Sequence, residues 1–256
     1  MAPFLVYRTY YDLEYGKKYI QNHELEIYQF YEKSDLYTIN LLNHIICERK
    51  SGKEEFQKVE TFEGLSEVNE YFYDENLNWK GDKTWIDVGA YTGDTMELAH
   101  LRFKDSIKKY YAFEPSKNNR DQLKKTIERL KITHKTEILE YGLGCMTQTL
   151  KFDEKGALSN VNSEKGKEEI QIKPLDSLEL NIMGMPYIKM DIEGAEMSAL
   201  KGMQNFILKN RPYLAVCLYH RIEDILEVPA FISSLDNNYK FYLRAGMHTE
   251  CYAIPV

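Results

Sequence analysis

The spacing of apolar positions changes character near residue 80. From Lys83 onward, short apolar runs alternate with segments of helical period. "KTWIDVGA", "KYYAFEP", "TEILEYGLG", "EEIQIKPLDSL", "MPYIKMDIEG" and "YLAVCLYH" read as strands, and "QTLKF" as a short extra strand. Between them, "DTMELAHLRF", "NRDQLKKTIERL", "AEMSALKGMQNFILKN" and "IEDILEVPAFISSL" read as helices. The third of these runs unbroken to Arg211-Pro212, where proline must stop it. Such alternation predicts an α/β fold: a mostly parallel sheet with helices on both faces. A run as continuous as "YLAVCLY" fits burial on both sides. The rhythm breaks at the end, where "YKFYLRAG" and "TECYAIPV" are joined around Gly246-Met247-His248 with no helix between them. That predicts an antiparallel C-terminal hairpin.

Residues 1–80 differ. They are rich in Tyr and Glu and carry no Gly-rich turn. "DLYTINLLNHIICERK" places Leu36, Ile39, Leu42, Ile45 and Ile46 at helical spacing, and "EGLSEVNEYFYDENLNW" predicts another helix. The expected organisation is therefore a mostly helical N-terminal extension, 1–80, followed by a catalytic domain, 81–256. The extension reads as a cap or a dimerisation element, which leaves a homodimer open, or as a plain structural addition.

Composition narrows the function classes. A chain of 256 residues suits one α/β domain with an attached segment, and it buries a core without staples. The net charge of −7 disfavours a nucleic-acid partner, whose phosphates need a basic face. Lysines are interleaved with acids, as in "KDSIKK" and "EKGKEE", which is the pattern of a solvated surface. Cys47, Cys145, Cys217 and Cys251 form no CxxC pair, so no metal site of the zinc type is expected and the thiols read as reduced and cytoplasmic. No apolar run reaches membrane-spanning length, and the N-terminus lacks the pattern of a signal peptide.

"WIDVGAYTGDT", Trp85 to Thr95, reads as a strand, a Gly-spaced turn and a helix start. A nicotinamide cofactor, a nucleoside triphosphate and S-adenosylmethionine all use such a turn. A P-loop would need Lys then Ser/Thr after its last glycine, whereas Gly93 is followed by Asp94 and Thr95. An acid at the helix start repels a pyrophosphate lying on it, while a zwitterionic amino-acid tail tolerates it. Glu114 ends the second strand in "YAFEP", where a carboxylate can accept from both hydroxyls of a ribose; the alternative is a solvated carboxylate before the Pro115 helix start.

"IKMDIEGAEMSALKG" crowds Asp191, Glu193 and Glu196 at the mouth of a strand. Ligands bind at the carboxyl ends of parallel strands, and three carboxylates there need a cation, a donor or a helix N-terminus. Glu196 also fits the first turn of the following helix. His220, at the end of "CLYH", falls at the same edge of the sheet, whereas His23, His100, His134 and His248 read as surface or turn residues and His44 sits on a helix. This makes His220, Asp191 and Glu193 the candidate catalytic residues.

In order along the chain, "IDVGAYTGDT", "AFEP", "PLDSL", "IKMDIEGAEMSALKGM", "YLAVCLYH" and the terminal strands resemble the FkbM family of S-adenosylmethionine-dependent methyltransferases from about residue 83 onward. The "IKMDIEGAE" block is the most distinctive part. The resemblance implies a class I methyltransferase (Rossmann-like) sheet, and O-methylation of a hydroxyl on a glycan, polyketide or other small molecule. It implies S-adenosylmethionine as methyl donor, S-adenosylhomocysteine as product, and cofactor contacts at Asp87, Gly89 and Glu114. With their neighbours, the expected cofactor positions are Asp87, Gly89, Ala90, Tyr91, Gly93, Glu114, Pro115, Gly142, Leu143 and Asp191. Tyr91 stands where many relatives carry a small residue or Asn. Ala245-Gly246 stand where many have an aromatic or His pair, a change expected to alter the acceptor pocket. His220 or Asp191 would take the hydroxyl proton; alternatively Asp191 and Glu193 would hold a divalent cation. The rival classes are a non-catalytic methyltransferase-like binder and a nicotinamide-dependent oxidoreductase, the latter disfavoured by Asp94 and the hairpin.

Overall fold

The computed structural model describes residues 13–51, 71–72, 81–152, 168–245 and 248–256. The helix expected over "EGLSEVNEYFYDENLNW" lies outside these residues except for Tyr71 and Phe72, as do Gly246 and Met247 of the hairpin turn. By packing, the chain divides into two compact units: Met1–Glu75 with Ala215–Val256, and Asn76–Leu214.

The first unit opens with α1 (Leu13–Tyr31), which the sequence reading did not anticipate, and α2 (Leu36–Ser51). Among its described side chains, helix α1 buries Gly16, Ile20, Ile27 and Tyr31, an apolar stripe too thin to stand out among Tyr, Glu and Lys. Helix α2 starts at Asp35, whose carboxylate accepts from the Thr38 N–H at 2.9 Å and the Thr38 hydroxyl at 2.7 Å, an N-cap arrangement. Its buried face is Thr38, Leu41, Leu42, Ile45 and Ile46. Leu36, expected on that face, is 75% exposed because it lies in the first turn. These helices pack on each other, on β9 (Tyr239–Ala245) and on α7 (Asp224–Leu235). The buried Arg244 of β9 ties them down: it pairs with Asp35 and donates to the Thr38 hydroxyl at 3.1 Å. Burial alone would raise the Asp35 pKa, but the bonds from Arg244 and Thr38 hold it below the ordinary value.

The second unit carries the βα alternation: β1 (Lys83–Val88), α3 (Asp94–Phe103), β2 (Ile107–Phe113), α4 (Lys117–Arg129), β3 (Thr136–Leu139), β4 (Gly142–Leu143), β5 (Gln148–Phe152), β6 (Glu168–Lys173), β7 (Met185–Met190), α5 (Glu196–Lys201) and α6 (Gln204–Asn210). Strands β8 (Tyr213–Cys217), β9 and β10 (Thr249–Pro255) complete a seven-stranded sheet in the order β3-β2-β1-β7-β8-β10-β9. Strand β1 is parallel to β2 and β7, and β2 to β3, while β9 and β10 run antiparallel with Tyr252 opposite Tyr242. Every residue of β1 is buried, as expected for a strand with neighbours on both edges and cover on both faces. Trp85 lies opposite Tyr187 in the β1–β7 register, and their rings stack at 4.8 Å.

Two single elements of the sequence reading are double. "TEILEYGLG" is not one strand. Strand β2 ends at Phe113, so β3 runs out of partner at Leu139, and the chain crosses to a small second sheet of order β4-β6-β5. "QTLKF" is a strand of that sheet. The helix expected over "AEMSALKGMQNFILKN" breaks into α5 and α6 at Gly202. Gly202 presses on the Gly144 carbonyl, where an added Cβ would lie 2.0 Å from that oxygen, and its own carbonyl accepts from the Asp176 N–H at 2.9 Å. The Asp176 carboxylate then caps α6, accepting from the N–H groups of Asn205 and Phe206 at 2.9 and 2.8 Å.

Candidate functional site

Strand β1 sits between β2 and β7, so the chain's first crossover leaves it on one side and a later one returns on the other. The carboxyl ends at such a reversal form a crevice suited to ligands. Its floor is the turn that follows β1. Gly89 has φ +81°, and an added Cβ would lie 2.0 Å from the Asp191 carbonyl oxygen, while Asp191 donates its N–H to the Val88 carbonyl at 3.1 Å. Glycine is required there because the chain leaving β7 passes directly over it. The N–H groups of Gly89 and Ala90 share the Phe113 carbonyl at 3.1 Å, which ties the turn to β2. Tyr91 follows at φ 45°, 56% exposed. Gly93, at φ +85°, precedes α3 against Leu123 of α4.

Two carboxylates hold this turn from beneath. Asp87 is fully buried; its Oδ1 lies 3.2 Å from the Lys189 ammonium and its Oδ2 accepts from the Trp85 indole N–H at 3.4 Å. Lys189 also donates to the Gly89 carbonyl at 2.7 Å. Burial raises the Asp87 pKa against the pull of Lys189. Glu114 is 5% exposed. It accepts from the Tyr91 N–H at 2.8 Å, the Ser116 N–H at 2.9 Å and the Asn119 amide at 3.3 Å. Burial raises its pKa too, with those bonds opposing. A carboxylate has about four acceptor sites, so Glu114 keeps about one for a ligand. Arg120, buried on α4, fixes the same corner by donating to the Glu114 carbonyl at 3.1 Å and the Pro115 carbonyl at 2.6 Å, and it pairs with Glu140.

The other expected positions fall nearby in the same unit. Gly142 and Leu143 form β4, where Gly142 packs against Ile172; Leu143 is buried. After β7, the "DIEG" segment turns sharply: Glu193 is exposed at φ 58° and Gly194 has φ +96°. Glu196 stays at the mouth as well as opening α5: one of its carboxylate oxygens lies within 4.8 Å of one of Asp191. It is fully buried in the first turn of α5 and accepts from the Ile192 N–H at 2.9 Å. In the other unit, β8 ends at Cys217, so His220 lies three residues beyond the strand instead of at its last position. The chain turns there once Leu218 has donated to the Thr249 carbonyl at 2.8 Å. The His220 ring lies 3.8 Å from the Tyr219 ring, which stacks on His248 at 4.1 Å. His248, read from sequence as a turn residue, is thus part of an aromatic group. Lys189 and Arg120 were missed altogether; a lysine inside the apolar run "YIKM" was the available signal.

Asp94 opens α3 and its carboxylate takes the Thr95 N–H at 2.8 Å, so a negative group occupies the place where a pyrophosphate would bind. The sheet order, the closing hairpin and this turn define a class I methyltransferase fold. The family model "Methyltransferase FkbM domain" matches residues 87–241, and the chain belongs to that family. The crystal structure of the methyltransferase FkbM from Methylobacillus flagellatus KT superimposes with a TM-score of 0.76 at 23% identity, over 93% of this chain and 60% of that one. The chain thus spans about 60% of that protein's length. An rRNA methylase from Streptococcus thermophilus (TM-score 0.42, 13% identity, 69% of this chain and 89% of that one) and a SAM-dependent methyltransferase from Aquifex aeolicus (0.39, 14%, 70% and 86%) are more distant likenesses. No curated protein matches the chain. Among the described residues, no helix is long and apolar enough to cross a membrane.

Proposed function

We propose that the protein transfers a methyl group from S-adenosylmethionine to a hydroxyl of a sugar, glycan or related metabolite, as a cytoplasmic step of polysaccharide biosynthesis. The observation that carries the cofactor reading is the Gly89–Gly93 turn, latched to Glu114 and opening into a helix already headed by Asp94. When bound, S-adenosylmethionine would supply an electrophilic methyl carbon. The chain's part is to hold the acceptor oxygen in line with it, to exclude water and to receive a proton. In this reading Glu114 accepts from the ribose, and the Ala90-Tyr91 backbone, Pro115, Gly142 and Leu143 border the cofactor. Asp87 acts from below through the turn. His220 is the base that takes the hydroxyl proton, with Asp191 as the alternative.

Calorimetry with S-adenosylhomocysteine and with NAD tests the cofactor; tight binding of NAD alone would overturn it. Turnover with a labelled methyl donor across a panel of hydroxylated glycans tests the acceptor class. His220→Ala should keep cofactor affinity and lose roughly a hundredfold in turnover. If turnover is unchanged in both His220→Ala and Asp191→Asn, neither is the base. Loss of activity in chelator, restored by a divalent ion, would reassign Asp191 and Glu193 as metal ligands.

A further inference from the structure

We infer that Lys189 is a positioning residue of the cofactor turn, acting as a latch between Asp87 and the Gly89 carbonyl. The inference rests on the cofactor reading above and extends it to a residue with no role in that reading. Three observations support it. The ammonium is 4% exposed, on a strand otherwise apolar from Pro186 to Met190, so its place there needs a partner. It meets Asp87 Oδ1 at 3.2 Å and the Gly89 carbonyl at 2.7 Å. The second bond is the informative one. Charge balance for Asp87 would be met by the ion pair alone, yet the same ammonium also fixes the first carbonyl of the turn. That carbonyl belongs to a residue at φ +81°, and the next two N–H groups along the turn, of Ala90 and Tyr91, are committed to Phe113 and Glu114. Holding the Gly89 carbonyl downward against Lys189 therefore sets the plane of the Gly89–Ala90 peptide. That in turn sets the direction in which the exposed Tyr91, next along the turn, leaves it. Asp87 anchors the ammonium, Lys189 anchors the turn, and neither has to touch the ligand.

A latch and a simple charge partner respond differently to paired substitution. Lys189→Met leaves the Asp87 carboxylate buried without its cation and should lower the thermal midpoint sharply. Asp87→Asn/Lys189→Met removes both charges and should recover most of that midpoint. If Lys189 is a latch, S-adenosylhomocysteine affinity does not recover with it: the double variant should bind at least tenfold more weakly than the native protein. Recovery of affinity together with the midpoint would reduce Lys189 to a charge partner and overturn the inference. Amide hydrogen exchange without ligand gives the second readout. Exchange in the double variant should quicken at Ala90, Tyr91 and Gly93 with the rest of β1 and β7 unchanged; unchanged exchange in that turn would also overturn the inference. If the double variant does not fold, Lys189→Gln is read by the same exchange measurement and the same criteria. A native protein that binds no S-adenosylhomocysteine would sink the cofactor reading instead, and the exchange result would still decide whether the latch exists.

Discussion

At the residue scale, Glu114 ties the turn to the start of α4, and the proposed function gives it a ligand role as well. Its bonds to Tyr91, Ser116 and Asn119 organise the turn and the start of α4, and its remaining acceptor capacity suits a ribose hydroxyl. Glu114→Gln exchanges one of those acceptor oxygens for a donor, and should weaken S-adenosylhomocysteine binding by about 1–3 kcal/mol, measurable by calorimetry. The same substitution has a pH signature. The folded-state pKa of Glu114 is raised, mainly by burial, so its favourable contribution is complete below the unfolded pKa and is lost as pH rises through the folded value. Removing the ionisable group removes that loss. The difference in thermal midpoint between Glu114→Gln and the native protein should therefore move in favour of the variant as pH rises above the ordinary glutamate range, about 4.3. A difference that is flat with pH would contradict it.

At the element scale, the breaks in the chain are enforced by backbone crossings. Gly89→Ala puts a methyl group 2.0 Å from the Asp191 carbonyl in a backbone conformation that disfavours side chains. It should cost more than about 2 kcal/mol in denaturant unfolding. Asp176→Ala removes the cap of α6 and should cost about 1 kcal/mol, with the loss visible as faster amide exchange at Asn205 and Phe206. The strands and most helices were legible in the sequence because apolar runs and their punctuation are local. The break between α5 and α6 was not, because its cause is the carbonyl of Gly144, about sixty residues away. Helix α1 was illegible for a different reason: the buried positions among its described residues, Gly16, Ile20, Ile27 and Tyr31, are too sparse to make a readable period.

At the scale of the whole molecule, the first part of the chain cannot be treated as an independent addition. Helices α1 and α2 cover β9 and α7, and Asp35 is the carboxylate partner of the buried Arg244. A chain truncated before Gly81 would strip those apolar surfaces and leave Arg244 without Asp35. Its thermal midpoint should fall by many degrees and it should bind a hydrophobic dye, while Asp35→Asn alone should show a smaller loss of the same sign. The depressed Asp35 pKa adds a direction: the stability from that pair is present above the ordinary carboxylate range and lost as pH falls through it. A truncated chain with a native midpoint would refute this dependence.

The sequence by itself determined the α/β class, the parallel order of the elements with a closing hairpin, and the Gly-spaced turn after the first strand. Each of these follows from local periodicity, from the conformational demands of glycine, and from a motif only a few residues long. The tertiary structure alone decided what those residues do to one another. Asp87 and Lys189 are about a hundred residues apart, Glu114 and Tyr91 more than twenty, and Asp35 and Arg244 more than two hundred. Nothing in the local pattern of either member names its partner. A buried charge must find its counterpart, but only the pairing of β1 with β2 and β7 brings Asp87, Lys189 and Glu114 to one corner, and only the packing of α2 on β9 delivers Asp35 to Arg244.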